Sequence, residues 1–374
     1  MALFSGICFL LNKLFWVNQL SCFLLLCLPA VIGTRKEVNG QLFYSMQKSS
    51  NCSPHRFMFV ALLLAGLMAI DGEAIAGDPA WLRDVSFMAY TPSEFKVING
   101  KPIPASPESI AEDLQVLRPY ADGLITYSVA NGLADVVGLA DKAGFRAVIL
   151  GIWSPTDKYE VTLAVKLVRQ YPKLVRAIVV GNEGLFWKRY TWHDVQKAIK
   201  QIRRDVPDVA VTTSEPMVSY LGSPARLGCE DQDFLLPNIH PVFEPWFHPE
   251  SVTQATEFVL DIEKRLYALC NKFVLIKETG VPSGPSSEGF TQAAQSAFWL
   301  NLMHKMRTQP HAALAYFEAF DAPWKIEEIA RDSGRRDERE AAWGWFTSSR
   351  KPKEVVEALQ PRSPTKTPAG VGAQ

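Results

Sequence analysis

The sequence has no surplus of charge of either sign: its 374 residues carry 39 Lys and Arg against 39 Asp and Glu. With no long basic run either, that balance argues against a nucleic-acid partner. Nor does the composition suit a collagen, a coiled coil or an acidic tail protein. Cysteine is scarce outside the first eighty residues. Cys8, Cys22, Cys27 and Cys52 lie there, which leaves Cys229 and Cys270 in the remainder. No two-Cys zinc spacing exists, and His240 and His248 lack an acidic third ligand at helical spacing, so no metal is expected. Also lacking is a G-x-G-x-x-G fingerprint after the first strand candidate, which speaks against a dinucleotide-binding sheet. What the chain does have is apolar bulk: 48% hydrophobic and 11% aromatic residues, including ten Trp.

Two apolar stretches crowd the N-terminus, residues 3–33 and 57–70. The second is short for a membrane span and suits a signal-peptide core. It follows Lys48, His55 and Arg56 and leads into Ala74-Ile75-Ala76, a small-x-small cleavage pattern. Residues 1–76 are therefore expected to be a leader, with the signal peptide at 46–76 and Met46 as its start. The alternative is a genuine transmembrane helix within residues 3–33. Such a leader sends the mature protein to the periplasm or out of the cell, or anchors it through the first apolar segment. Its loss leaves 34 basic and 36 acidic residues, a balance that fits a neutral substrate better than an anionic polymer. Cys229 and Cys270 then form either a disulfide suited to an oxidising compartment or two buried thiols.

From Asp84 onward, short β-branched runs alternate with longer amphipathic stretches. Strands are expected at 85–90, 124–129, 147–153, 176–181, 210–214, 235–242, 273–278 and 313–320. Helices are expected at 107–118, 133–142, 159–169, 192–204, 252–269 and 292–306. Ser106-Pro107-Glu108 reads as a helix start, while Gly144 and Pro207 read as helix ends. Eight strands with intervening helices favour a single-domain (β/α)8 TIM barrel over residues 77–360, with an open doubly wound sheet as the alternative. Residues 361–374, rich in Pro, Ser, Thr and Gly, read as a disordered tail.

Catalytic groups of such barrels sit at the C-terminal ends of the strands. The fourth strand candidate ends in Gly181-Asn182-Glu183, and the seventh ends in Lys277-Glu278-Thr279-Gly280. Those places face one another across the barrel mouth. Two facing carboxyl groups can cleave a glycosidic bond without metal or organic cofactor: one protonates the departing oxygen and the other attacks the anomeric carbon. Their pKa values must then differ.

At these residues the chain resembles glycoside hydrolase family 17, the β-1,3-glucanase family, and its bacterial branch in particular, over about residues 84–353. The markers are Val180-Gly181-Asn182-Glu183, Glu278-Thr279-Gly280-Val281-Pro282-Ser283, and the run from Tyr316-Phe317-Glu318-Ala319-Phe320-Asp321 through Ala322-Pro323-Trp324-Lys325. The resemblance implies a retaining enzyme on β-1,3-glucan, with Glu183 as acid/base and Glu278 as nucleophile. It implies that Asn182 bonds the sugar 2-hydroxyl, that Tyr127 and His240 lie near the same ring, and that Lys325 stands near the nucleophile. Trp153, Trp246 and Trp324 are candidates to pave a sugar cleft, with core packing as the alternative for each. Phe186-Trp187 is a candidate acceptor subsite. Departures from the family are Val281 for Trp, Ile125 for Arg, and, against plant members, His240 for Tyr and Ala322 for Glu; these bear on subsite shape. Hydrolysis and glucan transfer both remain open, and so does a catalytically inactive, lectin-like barrel that only binds glucan.

Overall fold

The structure, a computed structural model, describes residues 33–38, 41–46, 79–222 and 228–359. The apolar stretch 57–70, the expected cleavage pattern and the tail after Pro361 lie outside the described residues. The chain divides into two units, Met1–Glu73 and Ala74–Gln374. In the first, Gly33–Val38 and Gln41–Met46 form an antiparallel pair.

The second unit is the expected barrel. Its regular strands are β1 (Phe87–Ala89), β2 (Gly123–Ile125), β3 (Ala147–Ile152), β4 (Val175–Asn182), β5 (Ala210–Ser214), β6 (Val274–Ile276) and β7 (Ala312–Tyr316). They lie in the order β6-β7-β1-β2-β3-β4-β5, every pair parallel. Residues 235–238 occupy the gap between β5 and β6. Asn238 bridges Pro216 on one side and Glu278 on the other, and Leu235 bridges Val274. Backbone bonds from Asp233 to Val211 at 2.9 Å and from Leu235 to Phe273 at 2.8 Å complete the closure.

This sixth place was expected to be a strand over 235–242. It stops early because Pro237 and Pro241 have no N–H to give a ladder, and Pro241–Phe243 turns into a short 3-10 helix instead. The second and eighth strands also end sooner than expected, at Ile125 and Tyr316. The expected helices all appear, the last with the expected bounds, Gln292–Met306. Caps explain their starts. Ser106 accepts from the Ser109 amide ahead of Pro107, Asp157 caps the helix Lys158–Gln170, and Thr191 and Asp194 form a reciprocal capping box on Trp192–Asp205.

Alternation along the strands builds two apolar layers. Phe87, Ile125, Ala147, Ile149, Ala177, Val179, Leu275 and Ala315 fill the lumen with Phe234 and Leu236. The intervening residues, such as Met88, Leu124, Val148, Leu150, Ile178 and Ile276, pack outward among the helices. The same alternation, carried two residues further, sends Tyr127 and Lys277 into the upper lumen, directly below the strand ends. After β1 the chain makes a hairpin, Lys96–Ile98 with Lys101–Ile103. Asn99 and Gly100 at its tip both have positive φ, as a two-residue hairpin turn requires.

Candidate active site

β4 ends in Asn182, and Glu183 follows in a left-handed conformation, φ 53°. The turn is held from several directions. The Glu183 amide donates to Ser214 O at 2.8 Å, the Gly184 amide donates to the Tyr190 hydroxyl at 3.0 Å, and Arg189 donates to the Asn182 carbonyl. Gly184 is required here because a Cβ would stand 2.0 Å from the Tyr190 ring. The Glu183 side chain is fixed in turn: Asn238 Nδ2 donates to its Oε1 at 2.8 Å. Ser214 sets that amide by donating to Asn238 Oδ1 at 3.2 Å.

Glu278 follows β6 and is backbone-paired with the same Asn238. Lys277, fully buried, donates from Nζ to Asn182 Oδ1 at 2.6 Å. The same nitrogen stands 3.1 Å from Glu278 Oε1, close enough for strong Coulomb attraction though out of line for a hydrogen bond, and 4.1 Å from the centre of the Tyr127 ring. His240 Nε2 lies 3.6 Å from Glu278 Oε2, its ring set edge-on among Phe243, Phe317 and Trp343. Among the described residues, the Tyr127 hydroxyl and His240 Nδ1 are buried with no aligned hydrogen-bond partner.

These contacts push the two carboxyl groups in opposite directions. Burial raises Glu183, the neighbouring Glu278 charge raises it further, and Asn238, His240 and Lys277 offset only part of this. For Glu278, burial alone would also raise it. Lys277, His240 and Lys325 outweigh burial and hold it at about 2. Of the two, Glu183 is thus the group that holds its proton to the higher pH, and Glu278 the one that ionises first.

Lys325 donates to both oxygens of buried Glu318 at 2.7 Å. The structure therefore gathers Glu183, Glu278, Asn182, His240, Tyr127 and Lys325 around one strand-end cluster. Phe186 and Trp187 form an exposed edge-to-face pair with centroids 5.2 Å apart, on the turn just after Glu183. Trp153, also exposed, lies under Arg189 at 4.3 Å. Trp324 packs against Phe95 at 5.9 Å. Trp246 has ring contacts with Phe247 and Phe258 rather than with the carboxyl groups. Sequence reasoning gave no role to Asn238, Lys277, Glu318 or Glu215. Lys277 was legible from alternation, and Glu215 from its place immediately after a strand.

Two carboxyl groups whose pKa values are pushed in opposite directions, at the mouth of a (β/α)8 barrel, are the equipment of a glycosidase. Residues 88–344 match the BtgE/BtgC glycoside hydrolase domain. The chain belongs to this family. Among curated relatives, a glucan 1,3-beta-glucosidase of Arthroderma benhamiae is 29% identical over 261 residues, 65% of this chain and 82% of that protein. A probable glucan endo-1,3-beta-glucosidase, btgC of Aspergillus flavus, is 23% identical over 297 residues, 71% of this chain. This chain spans 42% of the length of that relative. In fold, the BtgE/BtgC domain matches the glycoside hydrolase family 17 beta-1,3-glucanosyltransferase from Rhizomucor miehei, with a TM-score of 0.57 at 21% identity over 72% of this chain and 95% of the other. It also matches an endo-laminarinase from Formosa, with a TM-score of 0.61 at 20% identity over 76% and 88%. The resemblance to family 17 read from the sequence holds at the level of fold, and the chain is a glycoside hydrolase by family.

Proposed function

We propose that this enzyme cleaves β-1,3-linked glucan with retention of configuration, using Glu278 as nucleophile and Glu183 as general acid/base. The observation that carries the assignment is the opposite electrostatic setting of the two groups: Lys277 and His240 hold the Glu278 pKa down, while burial beside that anion raises the Glu183 pKa. In the first step a Glu278 oxygen forms a bond to the anomeric carbon as the glycosidic C–O bond breaks, and Glu183 gives its proton to the departing oxygen. In the second, Glu183 takes a proton from water or a sugar hydroxyl, whose oxygen displaces Glu278. Because Lys277 occupies Asn182 Oδ1, Asn182 Nδ2 is left to donate to the sugar 2-hydroxyl, a contact that strengthens as charge develops. The β-1,3 linkage draws support from the activities that the relatives are named for and from the R. miehei glucanosyltransferase mutant, solved with laminaritriose.

Glucan transfer is the second reading. It is favoured by the exposed Phe186–Trp187 pair beside Glu183, which offers ring faces to an acceptor sugar. The disulfide Cys229–Cys270 supports an exported enzyme, periplasmic or secreted. Product lengths from linear laminari-oligosaccharides test the proposal. Products longer than the substrate mean transfer, only shorter ones mean hydrolysis, and binding without turnover would replace both with a lectin-like role.

A further inference from the structure

Glu215, the residue after β5, is fully buried and forms no ion pair among the described residues. Each of its oxygens receives a backbone amide. Oε1 accepts from the Leu185 amide at 3.1 Å and Oε2 from the Phe186 amide at 3.2 Å. Ser214, its neighbour in sequence, accepts the Glu183 amide through its carbonyl. Two consecutive residues at the end of β5 thus receive three amides of the turn that carries Glu183. That turn begins at a left-handed non-glycine residue, a conformation that persists only where its surroundings enforce it.

We propose that Glu215 is a positioning residue for Glu183: by binding two successive amides of the turn, it holds the acid/base carboxyl where it can deliver a proton. This rests on the reading of Glu183 as acid/base. A carboxylate suits the task because both of its oxygens accept, whereas an amide of the same shape would set an N–H donor against one of the two N–H groups. The groups facing Glu215 are the hydroxyls of Tyr190 and Tyr220, and the charges of Arg189, Glu183 and Lys277. Burial pushes its pKa up to about 7 against the pull of the Leu185 and Phe186 amides, and the Glu183 charge adds to the rise. Burying a carboxyl group without an ion-pair partner is costly to the fold, which a residue placed for packing alone would not require.

The test compares wild type with Glu215→Gln on two substrates. A dinitrophenyl 2-deoxy-2-fluoro β-glucoside carries a leaving group that needs no proton, so it should label Glu278 at a rate within about twofold of wild type. On laminaripentaose, which needs the acid, kcat should fall roughly 10- to 100-fold with KM little changed, the scale of a misplaced catalytic group. Amides 184–187 should exchange faster with deuterium in the variant. Equal losses on both substrates, or undiminished turnover of laminaripentaose, would overturn the proposal. If Glu215→Gln does not fold, Glu215→Asp, which keeps both acceptors on a shorter arm, should show the same split between substrates, and equal losses would again overturn it. A wild type that cannot be labelled at all would instead sink the glycosidase reading, a separate failure visible before any variant is made.

Discussion

Lys277 and Asn182, on strands at opposite sides of the barrel mouth, are joined by a hydrogen bond of 2.6 Å. The ammonium that turns the Asn182 amide toward the site is the same one that stands 3.1 Å from Glu278. One buried cation therefore serves both sides of the cleft. Replacing it in Lys277→Met removes the strongest of the contacts that lower the Glu278 pKa, so that pKa should climb from about 2 and the acidic limb of kcat/KM should move to higher pH. Turnover should drop about 100-fold or more, as when one electrostatic contact to a reacting group is lost. An unmoved acidic limb would show that Lys277 does not set the nucleophile's charge.

Much of this arrangement was written in the sequence at the level of elements. The helix Gln292–Met306 and the strand Ala210–Ser214 could be bounded to the residue, because cap residues and β-branched runs are local signals. The pairing of Glu183 with Glu278 followed from one rule about strand ends. What could not be read was which neighbour each carboxyl would meet. Glu318 lies inside the run expected to be strand through Phe320, but the strand ends at Tyr316, and Glu318 then meets Lys325 seven residues on. Asn238 sits between two prolines in a segment whose ladder is broken, where hydrophobic alternation gives no orientation. Glu215 could be singled out from its place after a strand, but not its task, because its oxygens meet the amides of the loop after β4.

Glu183→Gln separates protonation from shape. The amide should keep the contact with Asn238, since an acceptor oxygen remains, but it cannot give a proton. Oligosaccharide turnover should fall by roughly 100- to 10,000-fold, while an activated aryl glycoside still forms the intermediate. Stability should move the other way. Because the folded pKa of Glu183 is raised, its contribution is present below the unfolded carboxylate value and is lost as pH rises through the folded one. The variant's melting temperature should therefore exceed wild type by a margin that grows from acid to neutral pH. A constant or shrinking margin would contradict the raised pKa.

Glu278 carries the opposite sign. Its folded pKa is depressed, so the stability it contributes is present above the unfolded carboxylate value and is lost only as pH falls through about 2. Glu278→Ala should abolish turnover, and azide should restore it on an activated glycoside with a product of inverted configuration, while wild type gives net retention by proton NMR of the first-formed anomer. Retained activity in Glu278→Ala, or inversion by wild type, would exclude Glu278 as nucleophile.

The bond between Cys229 and Cys270 gives a prediction that leaves the chemistry alone. Cys229 precedes residues 235–238 and Cys270 precedes β6, so both lie at the strand starts, the end of the barrel away from Glu183 and Glu278. The two cysteines are 41 residues apart. Closing a loop of that length restricts the unfolded chain by about 4 kcal/mol on the chain-entropy account, enough to shift the melting temperature of a domain this size by roughly 10 °C. The Cys229→Ala, Cys270→Ala double variant should therefore melt earlier, yet keep kcat and KM on oligosaccharides at temperatures well below its transition. The comparison has to be made with both cysteines replaced, since one alone leaves a thiol free to pair elsewhere. An unchanged melting curve would mean that the bond adds nothing to the fold, and a loss of kcat in the still-folded variant would mean that the strand starts are coupled to the mouth.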